Sequence, residues 1–350
     1  MSGAHLSKEF FELIKNIGES KSKQEEDRIM RNEVSLLKAK LNAMKKVGSK
    51  PVQMSKKRQK EFLVRLLYVE MLGLDGSFGY IKAVEMVASE NVAFKRLGYL
   101  VCGACLPPEH EFRFMLINQL QRDLQSSHVL ETSCALIALG NLATVDMIAA
   151  VSNFVIQALE HGSDMIRKKA IHALYKCYQM DSSVVTKDEL VSKLRKILCD
   201  RDPGVMGASL GIIETLAKAN PIAFKDLVSS LVSILKQIIE HRLPREYDYH
   251  KMPAPWMQMS ILRILRILGK ADVQASQGMY EIVGDCMKRA DIGVNVGYAV
   301  VYECVRTITN IYPNNALLEA AAEAISRFIS SKNHNLKYLG KCLFAFIYAI

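Results

Sequence analysis

The sequence lacks several short motifs that mark common catalytic and nucleotide-binding sites. Its 350 residues contain no G-x-x-x-x-G-K-[ST] phosphate loop, no G-x-G-x-x-G dinucleotide fingerprint and no H-E-x-x-H zinc helix. His250 invites a catalytic interpretation, but no carboxylate and nucleophile accompany it in a recognisable pattern, and a lone histidine is usually structural. We therefore predict a binding protein, not an enzyme, with no catalytic residue and no cofactor.

Cysteine spacing suitable for a metal site is also missing. Cys102 and Cys105 form a C-x-x-C pair, but the chain has no second C-x-x-C and no H-x-x-x-H. A structural zinc site needs four correctly spaced ligands. Most of the eight cysteines lie in apolar runs, which favours reduced thiols packed as small hydrophobic side chains. No metal site is predicted.

Long uninterrupted apolar runs are absent as well. Between Glu131 and Glu160 the only formal charge is Asp146, but Asn141, Asp146 and Asn153 interrupt the run, and a membrane span needs about 20 apolar residues. The pattern favours two buried helices joined by a turn near Thr144. Residues 1–15 have no features of a targeting peptide. We predict a cytoplasmic protein without a transmembrane segment.

Strand signals are scarce, and what the chain does contain is a repeated helical pattern. Seven segments begin with a polar or proline-containing turn and place a small residue seven positions later. These small residues are Gly98, Cys134, Ala170, Ser209, Ser260, Ala299 and Gly340, and they lie 36 to 51 residues apart. A bulky residue usually precedes them by four positions, which predicts close helix packing at the same place in each repeat. The period predicts an all-α protein, a right-handed α-solenoid of HEAT/armadillo-like helix-pair repeats.

Acidic residues are missing from the segment between Lys45 and Lys60, which carries seven basic residues. Such a block favours an anionic partner, either a phospholipid surface or a nucleic acid, and an ordinary solvated loop is the plain alternative. The longest repeat spacing holds an insertion, EHRLPREYDYHKMPAPW, with three prolines and three aromatic residues. We expect an ordered loop there, with its aromatic side chains half-buried.

Several long segments resemble the N-terminal trunk of the large adaptins, in the same order along the chain. They include VRLLYVEMLGLDGSFGYIKAVEM at 64–86, IRKKAIHALYK at 166–176, LCDRDPGVMGASL at 198–210 and RLPREYDYHKMPAPWMQMSILRILRILG at 242–269. The resemblance implies a scaffold subunit of a heterotetrameric clathrin-adaptor-type coat that sorts cargo into vesicles at the trans-Golgi network. Its implied partners are a small (sigma), a medium (mu) and a second large (beta) chain, an Arf-family GTPase and an anionic membrane surface, with no nucleic acid.

The resemblance also suggests site residues. In the alpha-type chains of the family, a lysine cluster just before the first long trunk helix binds phosphoinositide, and Lys56, Lys57, Arg58 and Lys60 stand at the matching place. The early helices are where a GTPase would dock. Candidates for that partner face are Leu67, Tyr68, Met71, Leu72 and Tyr80.

The domain interpretation separates residues 1–60, which hold N-terminal helices and the basic linker, from a trunk solenoid at 61–350. Because the last residues form an apolar helix without a polar cap, we expect a trunk truncated at its C-terminal end. The alternative function is a HEAT-repeat scaffold of nuclear transport or nucleic-acid binding, which would use the same basic segment. The sequence does not identify the cargo or the lipid.

Overall fold

A computed structural model describes residues 7–43, 55–185 and 188–348, and most of these residues are helical. The chain divides into two compact units, Met1–Lys187 and Asp188–Ile350. Unit 1 contains α1 (Lys8–Gly18), α2 (Lys23–Ala43), α3 (Lys56–Met71), α4 (Tyr80–Val87), α5 (Val92–Cys105), α6 (Phe112–Leu124), α7 (Val129–Leu142), α8 (Val145–Ala158) and α9 (Asp164–Met180). Unit 2 contains α10 (Asp188–Leu198), α11 (Pro203–Ala219), α12 (Leu227–Ile239), α13 (Pro255–Gly269), α14 (Val273–Gln277), α15 (Tyr280–Ala290), α16 (Asn295–Ile308), α17 (Asn315–Ser330) and α18 (His334–Tyr348).

Local signals set many of these helix boundaries. Ser7 caps α1, because its hydroxyl accepts a hydrogen bond from the Phe10 amide at 3.2 Å, as an N-cap side chain should. Gly73, with φ of +83°, ends α3. Its amide donates to the Glu70 carbonyl and the next amide donates to the Val69 carbonyl, which is the Schellman arrangement. The turn expected near Thr144 separates α7 from α8, and Thr144 caps α8.

Within unit 1 the helices stack in two layers. One layer holds α3, α5, α7 and α9, each packed on the next, and the other holds α4, α6 and α8. Each helix of the second layer packs against its successor in the first, so α4 pairs with α5, α6 with α7 and α8 with α9. Unit 2 repeats the plan, with α11, α13, α16 and α18 in one layer and α10, α12, α15 and α17 paired against them. The prediction of all-α stacked helix pairs is confirmed within each unit.

The small residues allow close packing in four of the seven repeats. A Cβ atom on Gly98 would lie 2.7 Å from the Val87 nitrogen, and one on Gly340 would lie 3.0 Å from the Ile329 nitrogen. Both glycines therefore permit contact between the backbones of paired helices. Ala170 and Ser209 are fully buried.

In the other three repeats the predicted register is wrong. Cys134, Ser260 and Ala299 are only half-buried, whereas the residues one or two positions later are buried. These are Ala135, Ile261 and Val301. In these repeats the helix starts one or two residues further from the turn than in the other four. A count of seven from the turn therefore ends one or two residues before the buried position. The same shift explains why Leu130 and Trp256, expected to pack, are 51% and 57% exposed.

The insertion before α13 is ordered, as expected, and forms a small hairpin of β1 (Asp248–Tyr249) and β2 (Met252–Pro253). Its two-residue turn, His250 and Lys251, has positive φ at both positions, which is the type I′ geometry usually supplied by Asn-Gly. The inner strand is buried. Tyr249 stacks edge-on against His250 and Trp256. Tyr249 and Trp256 are exposed, whereas Tyr247 is half-buried as expected.

Candidate membrane and partner site

The predicted lipid-binding residues lie at the start of α3. Lys56, Lys57 and Arg58 are exposed and Lys60 is half-buried. Because successive helical residues are turned by about 100°, Lys56 and Lys60 share one side while Lys57 and Arg58 point elsewhere. The four cations therefore surround the first turn. Lys45, Lys46 and Lys50 lie outside the described residues.

The electrostatics of this helix end favour an anion. The first turn of α3 contains no acidic residue, and the N-terminal end of a helix already carries a partial positive charge. In the described part of the chain, Lys57, Arg58 and Lys60 make no ion pair, and the Lys56 ammonium lies 3.5 Å from the Ser89 hydroxyl. Positive side chains at this end destabilise the helix unless a negative charge approaches.

A cleft of about 780 Å³ adjoins this helix end. It is lined by Ser55, Lys56, Gln59, Glu85, Met86, Ala88, Ser89, Glu90 and Phe94. Glu85 and Glu90 give the cleft two carboxylates against the single ammonium of Lys56. The cleft is therefore not an anion pocket.

The five residues predicted as a partner face differ widely in exposure. Met71 is 74% exposed, while Leu67, Tyr68 and Leu72 are half-buried. Tyr80 is buried, and its hydroxyl donates a 2.6 Å hydrogen bond to Glu70. Burial, and then the Glu70 carboxylate, raise the pKa of Tyr80 above its usual value. Of this set, Met71 alone is freely available to another protein.

An ionic cluster that the sequence did not reveal holds α1 and α2 against α3. The Arg65 guanidinium donates to both carboxylate oxygens of Glu33, at 2.6 and 2.7 Å, and to Glu9 at 3.0 Å. Burial lowers the pKa of Arg65, but the hydrogen bonds and charge of Glu33 more than reverse that effect, so the net pKa is raised. Hydrogen bonds from Lys40 and Arg65 lower the pKa of Glu9. Residues 7–43 are thus part of unit 1, and the predicted domain boundary at residue 60 stays a prediction.

A second buried cluster joins α5, α6 and α7 around Asp123. Its carboxylate pairs with the Lys95 ammonium, accepts from the Tyr99 hydroxyl at 2.7 Å and accepts from Gln119 at 2.8 Å. Lys95 and Asp123 are 4% and 2% exposed. A buried charge pair of this kind persists only when its remaining polar atoms are also bonded, and here they are.

Arg113 of α6 satisfies the ends of two neighbouring helices. Its guanidinium donates to the Leu106 carbonyl at 2.5 and 3.2 Å, and to the Leu142 carbonyl at 2.8 Å. These carbonyls end α5 and α7, where helices leave acceptors unpaired and carry partial negative charge. Burial lowers the pKa of Arg113. No sequence signal distinguishes this arginine from an exposed one.

The structure assigns packing roles to the residues that resemble catalytic or metal motifs. Residues 207–211, GASLG, match the nucleophile-elbow pattern, but they lie inside α11 and the buried Ser209 hydroxyl donates to the Met206 carbonyl at 2.7 Å. That motif needs a strand-to-helix turn. Burial raises the pKa of Cys102 and of Cys105 to about 12. Across residues 7–43, 55–185 and 188–348, no group of His, Cys, Asp and Glu could hold a metal ion.

The described helices also bear on membrane insertion. None of them is both long and apolar enough to cross a bilayer.

All eight cysteines are free thiols, and Cys199 is the exposed one.

Comparison with known proteins identifies the family. A model described as "Adaptin N terminal region" matches residues 36–343. The chain belongs to the adaptin family. It is 46% identical over 338 residues to the AP-4 complex subunit epsilon of Arabidopsis thaliana, covering 97% of this chain and 35% of that protein. It is 43% identical to the AP-4 complex subunit epsilon-1 of Mus musculus, covering 94% of this chain and 28% of that protein. The chain thus spans about a third of the length of these adaptins.

A solved-structure comparison agrees on the fold. The model described as the full-length AP-3 complex in an intermediate open conformation matches 83% of this chain and 48% of that chain. The TM-score is 0.61 and the sequence identity 23%. At this identity the match shows a shared helical fold. The predicted resemblance to the large adaptins is confirmed, and the two AP-4 relatives above are epsilon subunits.

Proposed function

We propose that this chain is part of the trunk of a large adaptor subunit of the epsilon type, and that the subunit serves as a scaffold in vesicle-mediated cargo sorting. The observation that carries the proposal is the 46% identity to an AP-4 epsilon subunit over nearly the whole chain. The proposed partners are the small (sigma), medium (mu) and second large (beta) chains of one heterotetramer. The proposed location is the cytoplasmic side of the trans-Golgi network membrane.

The structure supports a scaffold role through its construction. Paired helices stacked in two layers expose long rows of side chains on each helix layer, and such surfaces suit extended protein contacts. Buried clusters around Arg65 and Asp123 link successive helices by charge-assisted hydrogen bonds. These bonds have defined geometry, so they fix the relative positions of the helices that they join.

Co-expression with the three proposed partner chains tests the assembly. The chain carries an affinity tag, and the small chain of the AP-4 type is compared with small chains of the AP-1 and AP-2 types. We expect the AP-4 small chain to co-purify in stoichiometric amount and to co-elute on size exclusion. If the tagged chain elutes free of every adaptor chain, the proposal is wrong.

The proposal includes a membrane contact made by Lys56, Lys57, Arg58 and Lys60. Each basic residue near an anionic surface contributes about 1 kcal/mol, so four supply about 4 kcal/mol, or roughly millimolar binding. That affinity is too weak to hold the complex alone. A second contact to a GTP-loaded Arf-family GTPase would raise the total through effective concentration.

Liposome flotation separates the two contacts. We expect Lys56→Glu/Lys57→Glu/Arg58→Glu to reduce recruitment to anionic vesicles in the presence of GTP-loaded Arf. The matched control changes three exposed lysines of unit 2 by the same charge: Lys236, Lys337 and Lys341. Equal losses in both variants would show that net charge alone matters and would reject the site.

The GTPase contact is tested at Met71. Its side chain is 74% exposed, so Met71→Asp should leave the fold intact while removing an apolar contact from the end of α3. We expect GTP-dependent recruitment to fall and recruitment without the GTPase to stay unchanged. Ile222→Asp, at a position that is 79% exposed, is the control. Unaltered GTP dependence in Met71→Asp would remove this residue from the proposed contact.

A further inference from the structure

The outer face of the layer formed by α5, α7 and α9 carries an unusual set of exposed side chains. On α5 and α7 they include Arg96, Leu100 and Ile137, and on α9 they include Lys168, His172 and Lys176. We call these six residues the α5/α7/α9 face. The three α9 residues are spaced four apart, so they lie along one side of that helix.

The two apolar members of this face lie at the same level on adjacent helices. A Cβ atom on Gly103 would lie 3.2 Å from the Cβ atom of Asn141, which fixes α5 beside α7. Leu100 lies about one turn before Gly103, and Ile137 lies about one turn before Asn141. Leu100 is 54% exposed and Ile137 is 49% exposed. Because packed helices are about 8–10 Å apart, we place these two exposed side chains within about one helix spacing of each other.

Cations outnumber carboxylates on this face, where Asp164 lies one turn before Lys168 on the same side of α9. The α5 helix contains no Asp or Glu, and α7 contains only Glu131. That carboxylate is already bonded to the Ser126 hydroxyl at 2.6 Å and to Lys95 at 3.4 Å. On α9 the single acidic residue is Asp164 in the first turn. In the described part of the chain, Arg96, Lys168 and Lys176 have no ion-pair partner.

A partner complementary to this face would present acidic and apolar side chains together. Lys168 and Lys176 are separated by about 12 Å along α9, which is about two helical turns. Acidic residues on one side of an amphipathic segment can reach both lysines while its apolar side covers Leu100 and Ile137. A lipid surface would use the cations but would place the apolar pair among headgroups.

We propose that the α5/α7/α9 face binds an acidic amphipathic segment of a partner protein. The segment's apolar side chains lie on Leu100 and Ile137, and its carboxylates pair with Arg96, Lys168 and Lys176. This inference stands on the charge and exposure of unit 1 and does not depend on the proposed adaptor assembly or on membrane contact at α3.

Fluorescence anisotropy with designed peptides tests the proposal on the full chain. The probe is a labelled helical peptide of about 20 residues, with leucines on one side and glutamates on the other. A second peptide has glutamine at every glutamate position. We expect saturable binding of the glutamate peptide, weakened by added salt, and roughly 10-fold weaker binding of the glutamine peptide.

Variants locate the binding surface. Lys168→Glu/Lys176→Glu and Leu100→Ser/Ile137→Ser should each weaken binding of the glutamate peptide by roughly 10-fold. Matched controls are Lys236→Glu/Lys337→Glu and Ile222→Ser, which should change it less than about 2-fold. Thermal melting by circular dichroism confirms folding of every variant. The comparison of the two peptides needs no variant, so it remains decisive if one misfolds.

Three results would overturn the proposal. The first is the absence of saturable binding to the glutamate peptide. The second is an equal loss of binding in the matched controls. The third is that the wild-type chain binds phosphatidylserine vesicles but not the glutamate peptide, and that Lys168→Glu/Lys176→Glu abolishes the vesicle binding. That result would assign the face to a membrane.

Discussion

Replacing Arg65 by methionine should release the first two helices from unit 1. The substitution removes the guanidinium but keeps a long apolar side chain, so the Glu33 carboxylate, which is 3% exposed in the intact protein, loses its partner. Breaking a buried ion pair on one side typically costs about 3–5 kcal/mol, because a buried charge is left uncompensated. Glu9 adds little to this figure, since its side chain is 65% exposed and water can replace the lost contact.

Urea unfolding measures the size of this effect. With a denaturant slope of about 2 kcal/mol/M for a unit of this size, the midpoint should fall by about 1.5–2.5 M. Limited proteolysis with trypsin measures its location. We expect cleavage within α2 to accelerate, because α1 and α2 open locally before the rest of unit 1 unfolds.

Two further variants complete the Arg65 experiment. Arg65→Met/Glu33→Met removes both charges and should recover most of the lost stability, because no buried charge remains unpaired. Arg58→Met, on the same helix but exposed, should have no measurable effect. The reasoning is refuted if the double variant is as unstable as Arg65→Met, or if Arg65→Met unfolds at the wild-type urea concentration.

The remaining predictions concern packing and pH. Arg113→Met should lower stability by about 3 kcal/mol in urea unfolding, because the carbonyls that end α5 and α7 lose charge-assisted hydrogen bonds. Gly98→Ala should lower stability by about 2 kcal/mol, since its methyl group would meet the backbone of α4. By contrast, Gly140→Ala, with nothing within 4 Å of the new atom, should raise it by about 0.5–1 kcal/mol. Partial burial of the imidazole, and then the charges of Lys168 and Lys169, lower the pKa of His172. The unfolded state therefore binds this proton first, and stability falls as pH drops below the ordinary histidine range. The His172→Gln variant should therefore lose less thermal stability than the wild-type chain when the pH is lowered from neutral to about 5.

Much of the helical architecture could be predicted because its signals are local. Ser7 caps a helix through its own hydroxyl, and Gly73 ends one through its own backbone conformation. The repeat was visible for the same reason, since Gly98 and Gly340 follow their turns at a fixed interval. Where a turn is longer by a residue or two, as before α16, counting along the sequence missed the buried position.

The buried polar clusters could not be predicted, because their partners are distant in sequence. Arg65 and Glu33 are 32 residues apart, and Lys95 and Asp123 are 28 apart. In the sequence each is one charged residue among many on an amphipathic helix. The candidate lipid site was found through a run of adjacent cations, but Tyr80 was included in the partner face because its burial against Glu70 has no local signal.

The Asp123 cluster constrains how such a stack can change over evolutionary time. If α5 moved along α6 by a single residue, the buried Asp123 carboxylate would lose its contacts with the Lys95 ammonium and the Tyr99 hydroxyl. Gradual sliding between these helices is therefore forbidden. Insertion or deletion of a whole helix pair outside the α5–α7 group, by contrast, leaves the partners of Asp123 in place. The stack can therefore lengthen by the addition of complete helix pairs, but not by a gradual shift of one helix along its neighbour.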